Sequence, residues 1–177
     1  MAEQHRPTFL IRPCFQQDLE QVQLIYAHHV TTGTGTFEHD PPPLAEMEAR
    51  WTRVVSHGWP FIVASPTRDL TRVLGFAYAQ QFREREGYAK TFEDSVYVAP
   101  SAMGQGVGKA LLQDLLRQLQ DDGVREVLGV IGDSANAASI RLHETLGFRR
   151  VGVMQNVGRK FNRWLDVVIM QRSLAQS

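Results

Sequence analysis

Glu93-Asp94-Ser95-Val96-Tyr97-Val98-Ala99-Pro100-Ser101-Ala102-Met103-Gly104-Gln105-Gly106-Val107-Gly108-Lys109 is the stretch from which this 177-residue chain is best read. Polar residues run into the β-branched and aromatic Val96-Tyr97-Val98, the pattern of a strand. Ala99-Pro100 ends it, because proline has no N–H to give a ladder. Val107, Leu111, Leu115 and Leu119, flanked by Leu112 and Leu116, then recur at helical spacing as far as Gly123. Strand, glycine-rich turn and helix together make an anion site. Free N–H groups and the helix dipole favour a phosphate, and glycines let the backbone approach it. Two nucleotide fingerprints fail here. Counting back from Gly108-Lys109, the P-loop pattern lands on Met103, and Ala110 stands where it needs Ser or Thr. The dinucleotide pattern requires glycine at Lys109 or at Leu111.

Composition narrows the class. One domain spanning 1–177 is expected, long enough for a real core. The formal net charge is zero, which offers nothing to a nucleic acid. No apolar run is long enough for a membrane span, and none near the start suggests a secretory signal. Cys14 is the single cysteine, so an internal disulfide is impossible and a cytoplasmic setting is expected. The six histidines show no metal spacing, so no metal is expected.

Outward from the central stretch, residues 1–7 read as a frayed polar start. Phe9-Leu10-Ile11 reads as a strand and the residues from Asp18 as a helix burying Leu19, Val22, Ile25 and Tyr26. A long connection, Thr31 to Pro43, has the length of a functional loop. A second helix follows, burying Leu44, Met47, Trp51, Val54 and Val55. Phe61–Ala64, Val73–Ala79 and Thr91–Val98 form a meander. Val127–Ile131 reads as a buried strand parallel to Thr91–Val98. Asn136 starts a short helix stopped at Gly147, and Arg149–Val153 and Trp164–Met170 close the chain as strands. The class is α/β (mixed α+β), a mixed, mostly antiparallel sheet of about seven strands with helices on both faces. A doubly wound dinucleotide fold would place its glycine loop after the first strand.

The turn resembles the acyl-CoA pyrophosphate loop of the GCN5-related N-acetyltransferases (GNAT), Gln/Arg-x-x-Gly-x-Gly/Ala. Gly106 and Gly108 match, while Met103 stands where Gln or Arg is usual, which implies altered affinity rather than lost binding. Three further motifs resemble the phosphinothricin N-acetyltransferase family within it. These are Glu93 to Val98, Asn136-x-x-Ser139-Ile140-x-Leu142-His143-Glu144-x-Leu146-Gly147-Phe148, and Val157-Gly158-x-Lys160-Phe161-x-x-Trp164-Leu165-Asp166. Those enzymes acetylate the amine of phosphinothricin, methionine sulfone or methionine sulfoximine.

The resemblance implies a GNAT fold whose splayed parallel strand pair holds acetyl-CoA. The pantetheine would lie along Val96, Tyr97 and Val98 like an added strand. The pyrophosphate would rest on Gly104, Gln105, Gly106, Val107, Gly108 and Lys109, with Asn136 reaching from the other side. The matching substrate segment is Arg83-Glu84-Arg85, with Asp94 and Ser95 opposite and Phe37 closing over the site. A homodimer, a small-molecule amine acceptor and a protective role against a toxic glutamate or methionine analogue are implied as well.

Acetyl transfer to an amine requires a base, since an ammonium has no lone pair, and donors for the thioester carbonyl. Glu93 matches the family's catalytic glutamate. His143 matches a histidine also proposed as acid or base, and a buried structural role fits it equally. Arginines at 83 and 85 suit an anionic acceptor, although Arg-Glu-Arg-Glu is also a common solvated turn. Tyr97 reads as core or site. Three alternatives are weighed: the same chemistry on a peptide N-terminus or polyamine, a non-catalytic acyl-CoA-binding domain, and a nucleotide-binding protein.

Overall fold

The computed structural model describes residues 8–174; the expected frayed start at 1–7 lies outside them. The strands are β1 (Phe9–Pro13), β2 (Phe61–Pro66), β3 (Gly75–Gln81), β4 (Thr91–Val98), β5 (Glu126–Gly132), β6 (Arg149–Lys160) and β7 (Arg163–Ser173). The helices are α1 (Leu19–Thr32), α2 (Leu44–Ser56), α3 (Val107–Asp121) and α4 (Ala137–Thr145). One seven-stranded sheet runs in the order β1-β2-β3-β4-β5-β7-β6. Every neighbour is antiparallel except β4 and β5, which are parallel.

Side-chain alternation along β4 assigns the two faces. Glu93, Ser95 and Tyr97 point one way, where Tyr97 meets Tyr26 of α1 edge-on at 4.9 Å. Phe92, Asp94, Val96 and Val98 point the other way, where Val98 lies against Gly108 of α3. Helices α1 and α2 therefore cover the first face, and α3 with α4 the second. The apolar stripe of α3 behaves as its spacing requires: Val107, Leu111, Leu112, Leu115, Leu116 and Leu119 are all buried. Each contributes roughly 1.5–3 kcal/mol through burial.

Two helical expectations need adjusting. Met47 and Val54 of α2 are buried, but Leu44 and Val55 sit at the margins of its apolar face and are exposed. Strand β6 extends seven residues past its expected end at Val153, through an irregularity between Met154 and Gly158, and turns into β7 over Phe161-Asn162. Both turn residues have positive φ, +49° and +58°, the geometry of a tight two-residue hairpin usually marked by glycine.

Candidate active site

Parallel pairing of β4 with β5 runs from Thr91↔Glu126 to Asp94↔Gly129 and stops. Both strands continue, β4 to Val98 on its β3 partner and β5 to Gly132 on its β7 partner. A slot opens between them. Phe82 N–H donates to Thr91 O and Ala99 N–H to Leu74 O, both at 2.9 Å. These bonds phase the β3–β4 ladder so that odd-numbered β4 residues turn their main-chain groups to β3 and even-numbered ones to β5. The groups of Val96 and the N–H of Val98 thus face the slot, whereas those of Tyr97 belong to the β3 ladder. The Val98 carbonyl accepts a 2.8 Å hydrogen bond from His29 Nε2 on α1. Burial lowers the His29 pKa, the Val98 bond opposes this, and His28 adds to the fall. His29 carried no motif and was missed in the sequence.

At the slot's end stands the glycine turn. Gly104 (φ +73°) and Gly106 (φ +80°), the N-cap of α3, adopt the left-handed conformation that glycine allows without strain. A side chain at either would meet nothing within 4 Å, so the turn is open outward. Gln105 Nε2 donates back to Ser101 O at 2.9 Å, bracing the loop, and Lys109 is exposed on the first turn of α3. Asn136 caps α4, its Oδ1 accepting from Ser139 N–H at 3.3 Å, and its amide nitrogen lies across the slot near Gly132 O. This geometry suits a phosphate at the turn and an extended, amide-bearing chain in the slot.

Glu93 lies on the α1/α2 face and is half-buried. Burial raises its pKa, Asp94 raises it further, and Arg83 opposes both. Tyr78 and Gln80 of β3 stand beside it, opposite Ser95 and Glu93 in register. A cavity of about 290 Å³ lined by Glu46, Arg50, Arg53, Tyr78 and Gln80 opens on this side. A groove of about 790 Å³ between α3 and the end of α4 is larger, but it is lined by neither the slot nor the glycine turn. Arg83, Glu84 and Arg85 are all exposed. Gln81 Nε2 organises that turn by donating to the carbonyls of Arg83 (2.6 Å) and Arg85 (3.1 Å). Arg83 stacks over Phe82 and reaches Glu93 electrostatically, whereas no contact among the described residues joins Glu84 or Arg85 to Glu93.

The connection after α1 is held as a fixed wall. Thr34 Oγ1 donates to Asp133 Oδ2 (2.7 Å) and buried Lys160 donates to Thr36 O (2.8 Å). Tyr26 OH bonds Thr36 Oγ1 and Glu38 Oε1, each at 3.0 Å, and Arg50 donates to Glu38 at 2.8 Å. Phe37 lies over Gly158, where any side chain would overlap its ring, and beside Gly132, where a Cβ would first meet the Thr34 carbonyl oxygen at 2.6 Å. Tyr26, Tyr78 and Arg50 were not legible as site residues, since their partners are distant in sequence.

Asp94 and His143 meet on the opposite face of the sheet from Glu93. His143 Nε2 is 3.1 Å from Asp94 Oδ2 and its Nδ1 is 2.7 Å from Ser139 O. The structure therefore brings Glu93, Ser95, Arg83 and Phe37 to one side and Asp94 and His143 to the other.

The comparisons agree with this architecture. A family model described as the acetyltransferase (GNAT) family matches residues 22–148. A phosphinothricin N-acetyltransferase of Alcaligenes faecalis is 47% identical over 93% of this chain and 82% of its own. An L-methionine sulfoximine/L-methionine sulfone acetyltransferase of Pseudomonas aeruginosa is 38% identical over 93% of this chain and 94% of its own. Among solved structures, a phosphinothricin acetyltransferase of Sinorhizobium meliloti in complex with acetyl-CoA superposes with a TM-score of 0.89 at 40% identity, covering 94% of this chain and 88% of that one. With the parted parallel strands, the open glycine turn and these relatives in hand, the chain belongs to the GNAT acetyltransferases, in the phosphinothricin and methionine sulfoximine acetyltransferase family, and is an N-acetyltransferase.

Proposed function

We propose that the protein transfers the acetyl group of acetyl-CoA to the amine of a small anionic amino acid of the phosphinothricin, methionine sulfone or methionine sulfoximine kind, with Glu93 as general base. The observation that carries this is the placement of Glu93: a half-buried carboxylate one residue before the rung at which β4 and β5 part. The activities named for the relatives support the donor and the acceptor class.

The residues fit acetyl-CoA. The N–H groups from Gly104 to Lys109 would take its pyrophosphate, and the slot groups of Val96 with Asn136 its pantetheine arm. When bound, it supplies the acetyl group as a thioester. Val98 N–H is the donor assigned to the acyl oxygen, with His29 holding the far side of the same residue. Glu93 takes the amine proton, directly or through one water. Its raised proton affinity brings it nearer to an amine than a surface glutamate would be. Arg83 attracts the acceptor's carboxylate, Arg85 and Glu84 flank the approach, and Ser95 and Phe37 bound the site. Cys14 is buried with its pKa pushed up, chiefly by burial, to about 12, so attack is direct and involves no enzyme thiolate.

A cytoplasmic homodimer belongs to the same reading. Val151, Val153, Met154, Val157, Phe161 and Trp164 are exposed on the β6–β7 hairpin. An apolar edge of this kind suits a second copy related by a two-fold axis.

Free thiol release from acetyl-CoA tests the proposal, with phosphinothricin, methionine sulfone, methionine sulfoximine and spermidine as acceptors. Turnover on the amino acid analogues is expected, with Glu93→Gln losing about 10²–10⁴ in kcat while still binding acetyl-CoA. Turnover on spermidine alone would move the enzyme to another acceptor class.

A further inference from the structure

Among the described residues, Asp94 and His143 form the one ion pair whose side chains are both nearly closed to solvent, 2% and 5% exposed. Its position is specific. Asp94 is the last β4 residue paired with β5, and its partner on that rung is Gly129. A Cβ at Gly129 would come within 2.8 Å of His143 Cδ2 and 2.9 Å of Nε2. The imidazole therefore passes over a residue that must lack a side chain, joining α4 to β4 across β5 where the strands separate. Phe148 closes the site with its ring edge-on at 4.9 Å.

The hydrogen bonds define the protons. Nδ1 faces the Ser139 carbonyl, which can only accept, so Nδ1 carries a proton. Nε2 faces a carboxylate oxygen and shares a second proton with it. Burial alone would lower the His143 pKa, but the bond and charge of Asp94, with the Ser139 carbonyl, raise it. Both nitrogens are thus engaged as donors, and the sheet stands between the ring and Glu93. Asp94 Oδ1 is buried with no hydrogen-bond partner among the described residues, which leaves the imidazolium as the compensation for that carboxylate.

We infer that His143 is a positioning residue, a fixed cation that ties α4 across Gly129 to the last β4–β5 rung and offsets the carboxylate adjacent to the base. The inference rests on Glu93 being that base. The charged and titratable groups that bear on Glu93 are Asp94 on its own strand, Arg83 on the preceding turn and Tyr78 on β3. Those facing His143 are Asp94 from β4 and the Ser139 carbonyl of its own helix; β5 contributes only Gly129. Removing the cation leaves the Asp94 charge uncompensated beside Glu93, so Glu93 holds its proton to higher pH.

Two measurements test this. The first is ¹⁵N NMR of the His143 imidazole in the wild-type protein. Both nitrogens are expected to stay protonated to higher pH than those of a free imidazole, and a bare nitrogen at neutral pH would overturn the inference. The second is the pH profile of kcat/KM for His143→Gln alone and combined with Asp94→Asn. The acid limb is expected to move up by about one pH unit in the single variant and to return to or below its wild-type position in the double, which also removes the unpaired charge that could unfold the single. A loss of about 100-fold on the plateau in both variants, with the limb unmoved, would show His143 itself transferring a proton. If Glu93→Gln leaves the wild-type acid limb in place, the base assignment fails, and the NMR result still decides the state of His143.

Discussion

His29 Nε2 and the Val98 carbonyl oxygen are 2.8 Å apart, a bond between helix α1 and the end of β4 at the mouth of the slot. It removes the one Val98 group that would compete for a ligand's N–H and leaves the Val98 N–H facing the slot. Since the bond is made by the neutral ring, it persists as pH rises. His29→Leu should lower kcat/KM for acetyl-CoA by about tenfold, the scale of one orphaned buried carbonyl. Steady-state kinetics with acetyl-CoA as the varied substrate checks this, and unchanged kinetics would make the bond incidental.

Arg83 lowers the proton affinity of Glu93 against the effects of burial and of Asp94. Arg83→Ala should therefore act twice, raising the acceptor KM and moving the acid limb of kcat/KM upward. Activity requires the ionised carboxylate, so it appears above the folded-state pKa and is lost as pH falls through it. Arg85 makes no contact with Glu93, and Arg85→Ala should leave the limb in place. Profiles for the two variants, measured with one acceptor, separate the roles.

The central architecture was readable because its signals are local. β4, the glycine turn and the leucine stripe of α3 each state their periodicity within a few residues, and the observed bounds of β4 match the expected ones. The resemblance implies Asp94 as a substrate contact, but alternation along β4 turns it to the face opposite Glu93, where it meets His143. The rest was hidden for physical reasons. The end of β6 is polar, irregular near Asn156 and turned by Phe161-Asn162 without a glycine. His29, Tyr26 and Arg50 depend on partners brought close only by folding, such as Val98, 69 residues from His29.

Phe37 occupies space that Gly158 leaves open, against the strand carrying Lys160 and its bond to Thr36 O. Gly158→Ala would place a methyl group inside the ring's position, so the ring must leave its seat. The wall from Thr34 to Glu38 bounds the acceptor side and not the glycine turn. Acceptor KM should rise about tenfold or more, with the acetyl-CoA dissociation constant within about twofold of wild type; overpacking of this kind costs about 1–3 kcal/mol. Combining it with Phe37→Leu should restore part of the acceptor affinity, and equal losses for both ligands would point to general disruption instead.

Far from the site, Asp18 is a test of how the first strand is fastened. Its carboxylate accepts from Arg12 Nη1 at 2.7 Å, from Arg12 Nη2 at 2.8 Å and from Phe15 N–H at 2.8 Å, with the residue 1% exposed. Burial alone would raise its pKa, but the Arg12 and Phe15 bonds outweigh it and hold the value below the ordinary carboxylate range. The sign follows by linkage: this stability is fully present above the unfolded-state pKa and is lost as pH falls through the folded one. Asp18→Asn should cost about 3–5 kcal/mol at neutral pH, because it removes the one carboxylate charge paired with the Arg12 guanidinium and leaves it only the neutral carbonyls of Pro13 and Leu70. Urea unfolding at pH 7 and at successively lower pH checks both statements. The gap between wild type and variant should narrow as the medium is acidified, and a gap independent of pH would mean that packing, not charge, sets the difference.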